Sequence, residues 1–234
     1  MEIATFAEEF AQGKVLLFNK PLYWTSFDLV SKVRNILKSR LHLKKLKVGH
    51  AGTLDPLATG LLILCTGKET RNIEKYQAEP KEYCATVTLG ATTPSFDLET
   101  DVDYRFPVEH ITREAVEKVL ESLTGIQLQE PPHFSARFMN GTRAYKLARK
   151  GEPVALAPRE ITIQFINLIS FDPPMISIQV RCSKGTYIRA LARDIGLRLD
   201  SGAYLSALVR THIGDFSLEQ ALTIEEFERN LVFS

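Results

Sequence analysis

Apolar residues along this chain follow two periods, one typical of β-strands and one typical of α-helices. Residues 176–182 alternate between apolar and polar side chains, which predicts a half-exposed antiparallel strand. Residues 188–199 instead carry apolar side chains three, four, seven and eleven positions after the first, which predicts a helix with one buried face. The pattern therefore predicts elements of both kinds.

The same two periods, together with turn and capping residues, divide the rest of the chain. Strands are predicted at residues 15–18, 61–65, 82–90, 161–165, 176–182 and 203–213. Helices are predicted at residues 1–13, 25–41, 67–76, 112–123, 142–150, 188–199 and 218–231. Strands and helices interleave, but several strands follow one another as hairpins, so we expect an α+β fold with a mixed, mainly antiparallel central sheet and flanking helices. We expect one domain over residues 1–234, with room for a smaller lobe around residues 91–150.

Composition limits the class of protein. The chain has 234 residues, 44% of them hydrophobic and 24% charged, as in a soluble globular protein. No apolar run approaches the roughly 20 residues that span a bilayer. The N-terminus has no basic region of the kind that begins a secretory signal peptide, so we expect no secretory signal. Cys65, Cys84 and Cys182 lie far apart, so we expect reduced, buried thiols in a cytoplasmic protein. The five histidines lack metal-ligand spacing and no nucleotide-binding loop is present, so we expect no metal and no cofactor.

Charge is unevenly distributed, although the net charge is only +1. Residues 32–47 contain seven basic residues and no acid, and residues 133–150 contain five basic residues and no acid. Residues 97–117 instead contain seven acids and two arginines. Segregation of this kind favours a polyanionic partner, and the alternative for either basic run is a solvated helix face.

The segment 48–60 has the composition of a stiff loop with one carboxylate. Glycines at positions 49, 52 and 60 permit backbone shapes that other residues resist. Pro56 disfavours the helical region for Asp55, so Asp55 is expected to be extended or in a turn. The alternative is that Asp55 caps a helix that begins at Pro56.

Read as one string, this segment resembles the catalytic loop of the TruB family of tRNA pseudouridine synthases. The matching string is Gly-His-x-Gly-Thr-Leu-Asp-Pro-x-Ala-x-Gly, from position 49 to position 60. The resemblance implies that Asp55 is the nucleophile and that His50 and Thr53 bind RNA. It also implies the pseudouridine synthase catalytic-domain fold.

The resemblance continues over roughly residues 15–215. It implies that Lys20, in Lys-Pro before Thr-Ser, belongs to the substrate site and that Tyr83 packs on the target base. Lys-Gly-Thr-Tyr-Ile-Arg at 184–189 resembles the motif that supplies Tyr187 and Arg189 to the active site, and Leu208 matches a leucine of the uracil pocket. A basic segment around residues 131–149 adds the RNA-binding candidates Arg143, Lys146 and Arg149.

Each of these residues also has an ordinary structural interpretation. Tyr83 fits the apolar face of a strand, and Tyr187 fits packing against a helix. Arg189 lies beside the apolar stripe of its helix and fits a surface ion pair, and Lys20 fits a solvated turn. Only their joint order along the chain favours the catalytic interpretation.

The chain departs from the family pattern in three residues and in extent. Tyr23 stands where glycine is usual, Asn19 where aspartate is common, and Phe138 where lysine is usual. Many members of the family continue into a C-terminal PUA RNA-binding domain, and we expect none over residues 1–234.

The resemblance implies isomerisation of uridine to pseudouridine in the T-loop of tRNA, at position 55 of the tRNA. Asp55 would attack C1′ of the sugar or C6 of the base, with Arg189 favouring its ionised form and Tyr187 accepting the C5 proton. Tyr83 and Leu208 would hold the flipped base while His50 stacks in the vacated space. The expected partner is the tRNA T-arm, the expected state a monomer, and no membrane is involved.

Two other classes of function fit part of the sequence. A non-catalytic RNA-binding domain would use the same basic surface without the chemistry of Asp55. A hydrolase with Asp55 as nucleophile would act on a small substrate and would not need the basic runs.

Overall fold

The computed structural model describes the backbone of residues 3–135, 138–139, 141–143, 147, 149–150 and 156–231. The side chains of the same residues are described, except those at positions 3, 138, 139 and 143. The chain divides into two compact units, Met1–Glu82 with Val209–Ser234 and Tyr83–Leu208. The lobe expected around residues 91–150 lies within the second unit, and the single-domain organisation stays a prediction.

The elements follow in chain order. The first group is α1 (Ile3–Gln12), β1 (Val15–Lys20), α2 (Ser26–Arg40), β2 (Val48–His50), β3 (Ala58–Thr66), a 3-10 helix (Gly67–Asn72) and α3 (Ile73–Ala78). The second is β4 (Lys81–Leu89), β5 (Ala91–Thr92), β6 (Tyr104–Arg105), α4 (Arg113–Ser122), β7 (Gly125–Gln129), β8 (Phe138–Met139) and β9 (Thr142–Arg143). The last is β10 (Arg159–Asp172), β11 (Met175–Cys182), α5 (Ile188–Arg198), β12 (Ala203–Ile213), β13 (Phe216–Ser217), a 3-10 helix (Leu218–Gln220) and α6 (Ile224–Asn230).

Strand β3 organises the first unit. It lies between β1 and β12, it runs antiparallel to β1 and β2, and its apolar residues are almost all fully buried. Helix α2 begins with the predicted capping box, in which Thr25 and Asp28 satisfy each other's backbone amides. Its apolar face packs with Phe18, whose ring meets Phe227 edge-on at 5.0 Å between centroids. This core fixes the platform from which the loop before β3 projects.

The second unit is built on five neighbouring strands of the central sheet. Its strand order is β12, β4, β11, β10 and β7, with antiparallel pairing of β10 to both β11 and β7. Strand β4 buries its odd-numbered residues from Tyr83 to Leu89, as the alternation predicts. The α+β class with a mainly antiparallel central sheet and flanking helices is confirmed.

Three local predictions are wrong. The helix expected from residue 142 is not formed there, because Thr142–Arg143 pairs with Phe138–Met139 as a hairpin. The helix expected over residues 218–231 is interrupted after Gln220, and α6 begins only at Ile224 with Thr223 as its N-cap. Cys84 is exposed rather than buried, because it lies on the face of β4 opposite Tyr83.

Candidate active site

Asp55 lies on an irregular loop between β2 and β3. The backbone amide of Ala58 donates to the carbonyl of Asp55 at 3.1 Å, which closes a tight turn over Pro56 and Leu57. Strand β3 starts at Ala58, so no helix follows Asp55 and the helix-cap alternative is wrong. The prediction of an extended or turn conformation for Asp55 is confirmed, and its side chain is partly exposed.

The segment that connects β1 to α2, together with the first residue of α2, clamps this loop on both sides of Asp55. Ser26 Oγ accepts a hydrogen bond from the Leu54 amide at 2.9 Å and donates to the Leu54 carbonyl at 3.2 Å. The Tyr23 amide donates to the Pro56 carbonyl at 2.8 Å. Because both neighbours of Asp55 are fixed, the position of the Asp55 backbone is fixed as well.

Asn19 also holds the loop region. Its Oδ1 accepts a hydrogen bond from the Gly60 amide at 3.2 Å. Gly60 has a φ of 103°, and a Cβ at this position would collide with the backbone of Arg210. The glycine is therefore required both by its backbone conformation and by the close approach of Arg210.

Lys20 is completely buried beside this loop. Its Nζ donates to the carbonyls of Pro21 at 2.8 Å and Trp24 at 2.7 Å. Burial lowers the pKa of Lys20 to about 8, while Asp55 raises it and Arg210 lowers it further. The solvated-turn alternative is thus wrong. Lys20 lies within electrostatic range of Asp55, and its part in a substrate site stays a prediction.

Arg210 is a site residue that the sequence analysis missed. It is buried on β12, its Nε donates to the Leu61 carbonyl at 2.8 Å, and its Nη2 donates to the Gly52 carbonyl at 3.1 Å. These two carbonyls flank the Asp55 loop, so one guanidinium ties the two ends of the loop together. The available signal was a basic residue directly after the apolar run 207–209, where a buried charge needs partners.

The other two loop residues differ in environment. His50 is half-buried at the end of β2, and burial followed by the nearby charge of Arg210 lowers its pKa. The imidazole is therefore neutral at neutral pH. Thr53 is exposed between His50 and Asp55. His50 ends the strand before the Asp55 loop and Thr53 lies on that loop, and their roles in RNA binding stay predictions.

In the second unit, Arg189 is buried rather than placed in a surface ion pair. It is 4% exposed and donates to the carbonyls of Ser95 at 3.2 Å and Phe134 at 2.9 Å. Its Nε lies 3.6 Å from Asp97 Oδ2, and Asp97 is buried too. Two carbonyls and one carboxylate therefore restrict the orientation of this buried guanidinium, and its role in catalysis stays a prediction.

Asp97 is the second residue that the sequence analysis missed. The segment 91–106 has the composition of an exposed acidic loop, yet the Asp97 side chain is buried and its Oδ1 accepts from the Glu99 amide at 2.9 Å. The Asp97 backbone bridges to Leu205 of β12, which draws this part of the segment inward. Local composition contained no signal for this contact.

Tyr187 is positioned by its backbone. It precedes α5, its amide donates to Gln129 Oε1 at 2.8 Å, and its carbonyl accepts from Gln129 Nε2 at 3.1 Å. The side chain is half-buried. Tyr83 is buried on the apolar face of β4 and Leu208 is half-buried on β12. Their packing on a base stays a prediction.

The basic segment of the second unit is only partly described. Lys146 and the side chain of Arg143 lie outside the described residues. Arg149 is exposed and donates from Nε and Nη2 to Glu99 Oε1 at 2.9 and 2.6 Å. Among the residues that the structure does describe, no three His, Cys, Asp or Glu side chains are grouped so as to hold a metal ion. Within the same residues, no helix has the length and apolar character needed to cross a membrane.

Comparison with known proteins identifies the family of this chain. Residues 38–188 match the family model described as TruB family pseudouridylate synthase, N-terminal domain. A protein of Bacteroides fragilis described as tRNA pseudouridine synthase B is 57% identical over 218 residues, covering 93% of this chain and 94% of the relative. The chain belongs to the TruB family. The family inferred from the motifs is therefore confirmed.

Other TruB relatives and solved structures extend the match. Proteins with the same description from Parabacteroides distasonis and Flavobacterium johnsoniae are 56% and 47% identical over 94% and 96% of this chain, and are themselves covered over 94% and 98% of their lengths. A chain in the crystal structure of a Cbf5-Nop10-Gar1 complex matches with a TM-score of 0.72 and 26% identity over 98% of this chain. A chain of an H/ACA RNP bound to a substrate RNA containing 2′-deoxyuridine matches with a TM-score of 0.68 and 25% identity over 95% of this chain. This chain spans 56% and 54% of the lengths of those two structural neighbours.

The range that matches the TruB model contains most of the candidate residues but not all of them. His50, Thr53, Asp55, Tyr83 and Tyr187 fall within residues 38–188. Lys20, Arg189, Leu208 and Arg210 fall outside it. For Lys20 and Arg210, the evidence that connects them to Asp55 is therefore the geometry of the first unit.

Proposed function

We propose that this chain isomerises uridine to pseudouridine in the T-loop of tRNA, with Asp55 as the nucleophile. The observation that carries the proposal is the double clamp on the Asp55 loop, in which Ser26 holds Leu54 and Tyr23 holds Pro56. The relatives described as tRNA pseudouridine synthase B, up to 57% identical over nearly the whole chain, support tRNA as the substrate. A nucleophile fixed in this way loses little entropy on reaching the reacting atom.

The reaction needs an ionised carboxylate. Lys20 is protonated below its pKa of about 8, and its interaction with Asp55 favours the carboxylate form of Asp55. The carboxylate attacks C1′ of the sugar or C6 of the base, and the bond from C1′ to N1 breaks. The base turns and bonds to C1′ through C5, and the adduct with Asp55 breaks to return the carboxylate. The proton on C5 is then lost and N1 gains a proton, so the product is an isomer of the substrate. The isomerisation is redox-neutral, so no electron carrier is part of the proposal.

By the family resemblance, Tyr187 accepts the C5 proton and Arg189 is the second charged catalytic residue. Tyr83 and Leu208 hold the base. Gln129 holds the backbone of Tyr187, and two carbonyls with Asp97 hold the side chain of Arg189. Rigid first contacts of this kind are what a catalytic site requires.

The uridine must leave the stacked T-loop before Asp55 can reach it. Extrusion of a base costs on the order of a few kcal/mol, and stacking on an aromatic side chain returns about 1–3 kcal/mol. His50 is neutral and partly exposed, so it can stack without the cost of burying a charge. The basic residues of segments 32–47 and 133–150 hold phosphates without reading the sequence. The enzyme acts as a monomer in the cytoplasm under this proposal.

The decisive experiment uses unmodified tRNA transcript and maps pseudouridine at single-nucleotide resolution. Wild type should modify the T-loop uridine, and Asp55→Asn should form no product at equal protein concentration and equal RNA occupancy. Asp215→Asn is the matched control, because Asp215 is an exposed aspartate in the same unit. Product from Asp55→Asn at the wild-type rate would remove the nucleophile assignment. No product from wild type would remove the function.

The same assay separates the two alternative classes. A non-catalytic RNA-binding domain predicts RNA binding without pseudouridine in any variant. A hydrolase acting on a small substrate predicts activity that does not change with salt. The proposed enzyme instead loses RNA affinity as salt rises, because its basic residues displace counterions from the RNA.

A further inference from the structure

The segment between β1 and α2 exposes large apolar side chains next to the Asp55 loop. Tyr23 is 74% exposed, Leu22 is 43% exposed, and Phe27 in the first turn of α2 is 63% exposed. The segment leads into Ser26, the first residue of α2, which is buried and hydrogen-bonded to Leu54. One side of the segment therefore holds the Asp55 loop in place, and the other side exposes apolar surface to solvent.

Tyr23 has a backbone conformation that costs free energy. Its φ is 67°, in the left-handed region, where a non-glycine residue is disfavoured by about 1–2 kcal/mol. With a ring that is 74% exposed, burial inside the unit does little to offset this cost. A strained bulky residue that gains little inside its own fold is a mark of a functional surface.

The position of Tyr23 relative to Asp55 is set by one hydrogen bond. The Tyr23 amide donates to the carbonyl of Pro56, the residue that follows Asp55. An RNA strand that delivers a uridine to Asp55 therefore carries its neighbouring nucleotides past the Tyr23 ring. Bases next to an extruded nucleotide have lost a stacking partner, and an exposed aromatic ring can replace it.

The surface that continues from this segment is basic. Phe27, Ser31, Arg34 and Lys38 are spaced by four, three and four residues, so they share one face of α2. Arg34 and Lys38 are partly exposed, and Arg34 Nη2 donates to Ser31 Oγ at 3.4 Å. An aromatic side chain followed by cations along one face matches the chemistry of a single-stranded RNA, with bases to stack and phosphates to neutralise.

We propose that Tyr23 is a substrate-positioning residue that stacks on an unpaired base flanking the target uridine, with Arg34 and Lys38 on the phosphates of the same strand. The proposal rests on the proposed function and adds to it the residue that orients the strand. It assigns the apolar surface around Tyr23 to RNA binding, because the positive charge of the adjoining helix face complements a polyanion.

The test is steady-state kinetics on unmodified tRNA transcript with Tyr23→Gly, Tyr23→Ala and Tyr23→Phe. Loss of one base–aromatic stack should raise KM about 5- to 150-fold in Tyr23→Gly and Tyr23→Ala, with a much smaller change in kcat. Tyr23→Phe keeps the ring and should behave as wild type. Tyr104→Ala is the matched control, because Tyr104 is 68% exposed on β6 of the second unit, and its KM should not change.

The outcomes separate this inference from the proposed function. If wild type is active and Tyr23→Gly has the same KM as wild type, the stacking role is wrong and the proposed function is unaffected. A wild type without activity overturns the proposed function itself. Equal losses in Tyr23→Phe and Tyr23→Ala would assign the effect to the hydroxyl and overturn stacking. A folding defect is excluded by urea unfolding, in which Tyr23→Gly should be at least as stable as wild type because the left-handed strain is relieved.

Discussion

Ser26 Oγ makes two hydrogen bonds to the backbone of Leu54: it accepts one from the Leu54 amide and donates one to the Leu54 carbonyl. Both groups are buried, so water cannot replace either bond. This one side chain therefore fixes the residue immediately before the proposed nucleophile.

Ser26→Ala should lower the free energy of unfolding by about 1–3 kcal/mol, because it leaves two buried backbone groups without this partner. Urea unfolding measures that loss. In the same variant kcat should fall more than KM rises, because a displaced Asp55 affects attack rather than RNA affinity. Ser39→Ala, at an exposed serine of α2, should change neither quantity.

The buried amine of Lys20 predicts a specific dependence of stability on pH. Burial lowers its pKa from 10.5 to about 8, so between these two values the unfolded chain binds a proton that the folded chain does not. The free energy of unfolding of wild type should therefore rise with pH across this window, relative to Lys20→Met, by about 2 kcal/mol between pH 8 and pH 10. Below pH 8 the folded chain carries the buried charge and the destabilisation is fully present.

Urea unfolding of both proteins at several pH values gives the difference, in which the other titrating groups cancel. Lys45→Met, at an exposed lysine, should show no such trend. A difference between wild type and Lys20→Met that stays constant from pH 7 to pH 10 would contradict the low pKa of Lys20.

Arg210→Lys should weaken the closure of the Asp55 loop. Lysine keeps the charge, but one ammonium cannot reproduce two directed bonds to Leu61 and Gly52. We expect a loss of about 1.5–3 kcal/mol in the free energy of unfolding and a fall in kcat. Arg229→Lys, at an exposed arginine of α6, is the control. Full activity in Arg210→Lys would show that the loop keeps its shape without the guanidinium.

Asp97→Asn should destabilise the second unit. It removes a buried negative charge 3.6 Å from the Arg189 guanidinium, and breaking a buried pair from one side costs roughly 3–5 kcal/mol. Thermal unfolding measures the loss, and the pseudouridine assay should show lower turnover because Arg189 is less firmly held. Asp101→Asn removes an exposed charge from the same segment and should have little effect. Equal melting temperatures for Asp97→Asn and wild type would refute the structural role of Asp97.

The periodicity of the hydrophobic residues was sufficient to predict most of the helices and strands of the fold. Strand β12 has the bounds that its sequence predicts, and α5 begins at the first residue of its apolar stripe. Cys84 was predicted to be buried because it is a cysteine, and its position in the alternation of the strand was not taken into account. The alternation that buries Tyr83 and Ala85 requires the residue between them to face outward.

The environment of the charged site residues was not predictable from local sequence. Arg189 and Arg210 are buried because carbonyls from distant segments accept their hydrogen bonds, and those carbonyls carry no residue-specific signal. Lys20 is held instead by carbonyls close to it in sequence, those of Pro21 and Trp24, which carry no residue-specific signal either. The motif could assign these residues to a site, but only the fold shows which of them contact solvent.

The hydrogen bond between Arg210 and Gly52 joins positions 158 residues apart. A chain emerging from the ribosome can form β1, α2 and β3 early, but it cannot close the Asp55 loop until residue 210 has been synthesised and folded into place. The Asp55 loop therefore depends on a contact that forms only after residue 210 has been synthesised, and a shorter nascent chain lacks it.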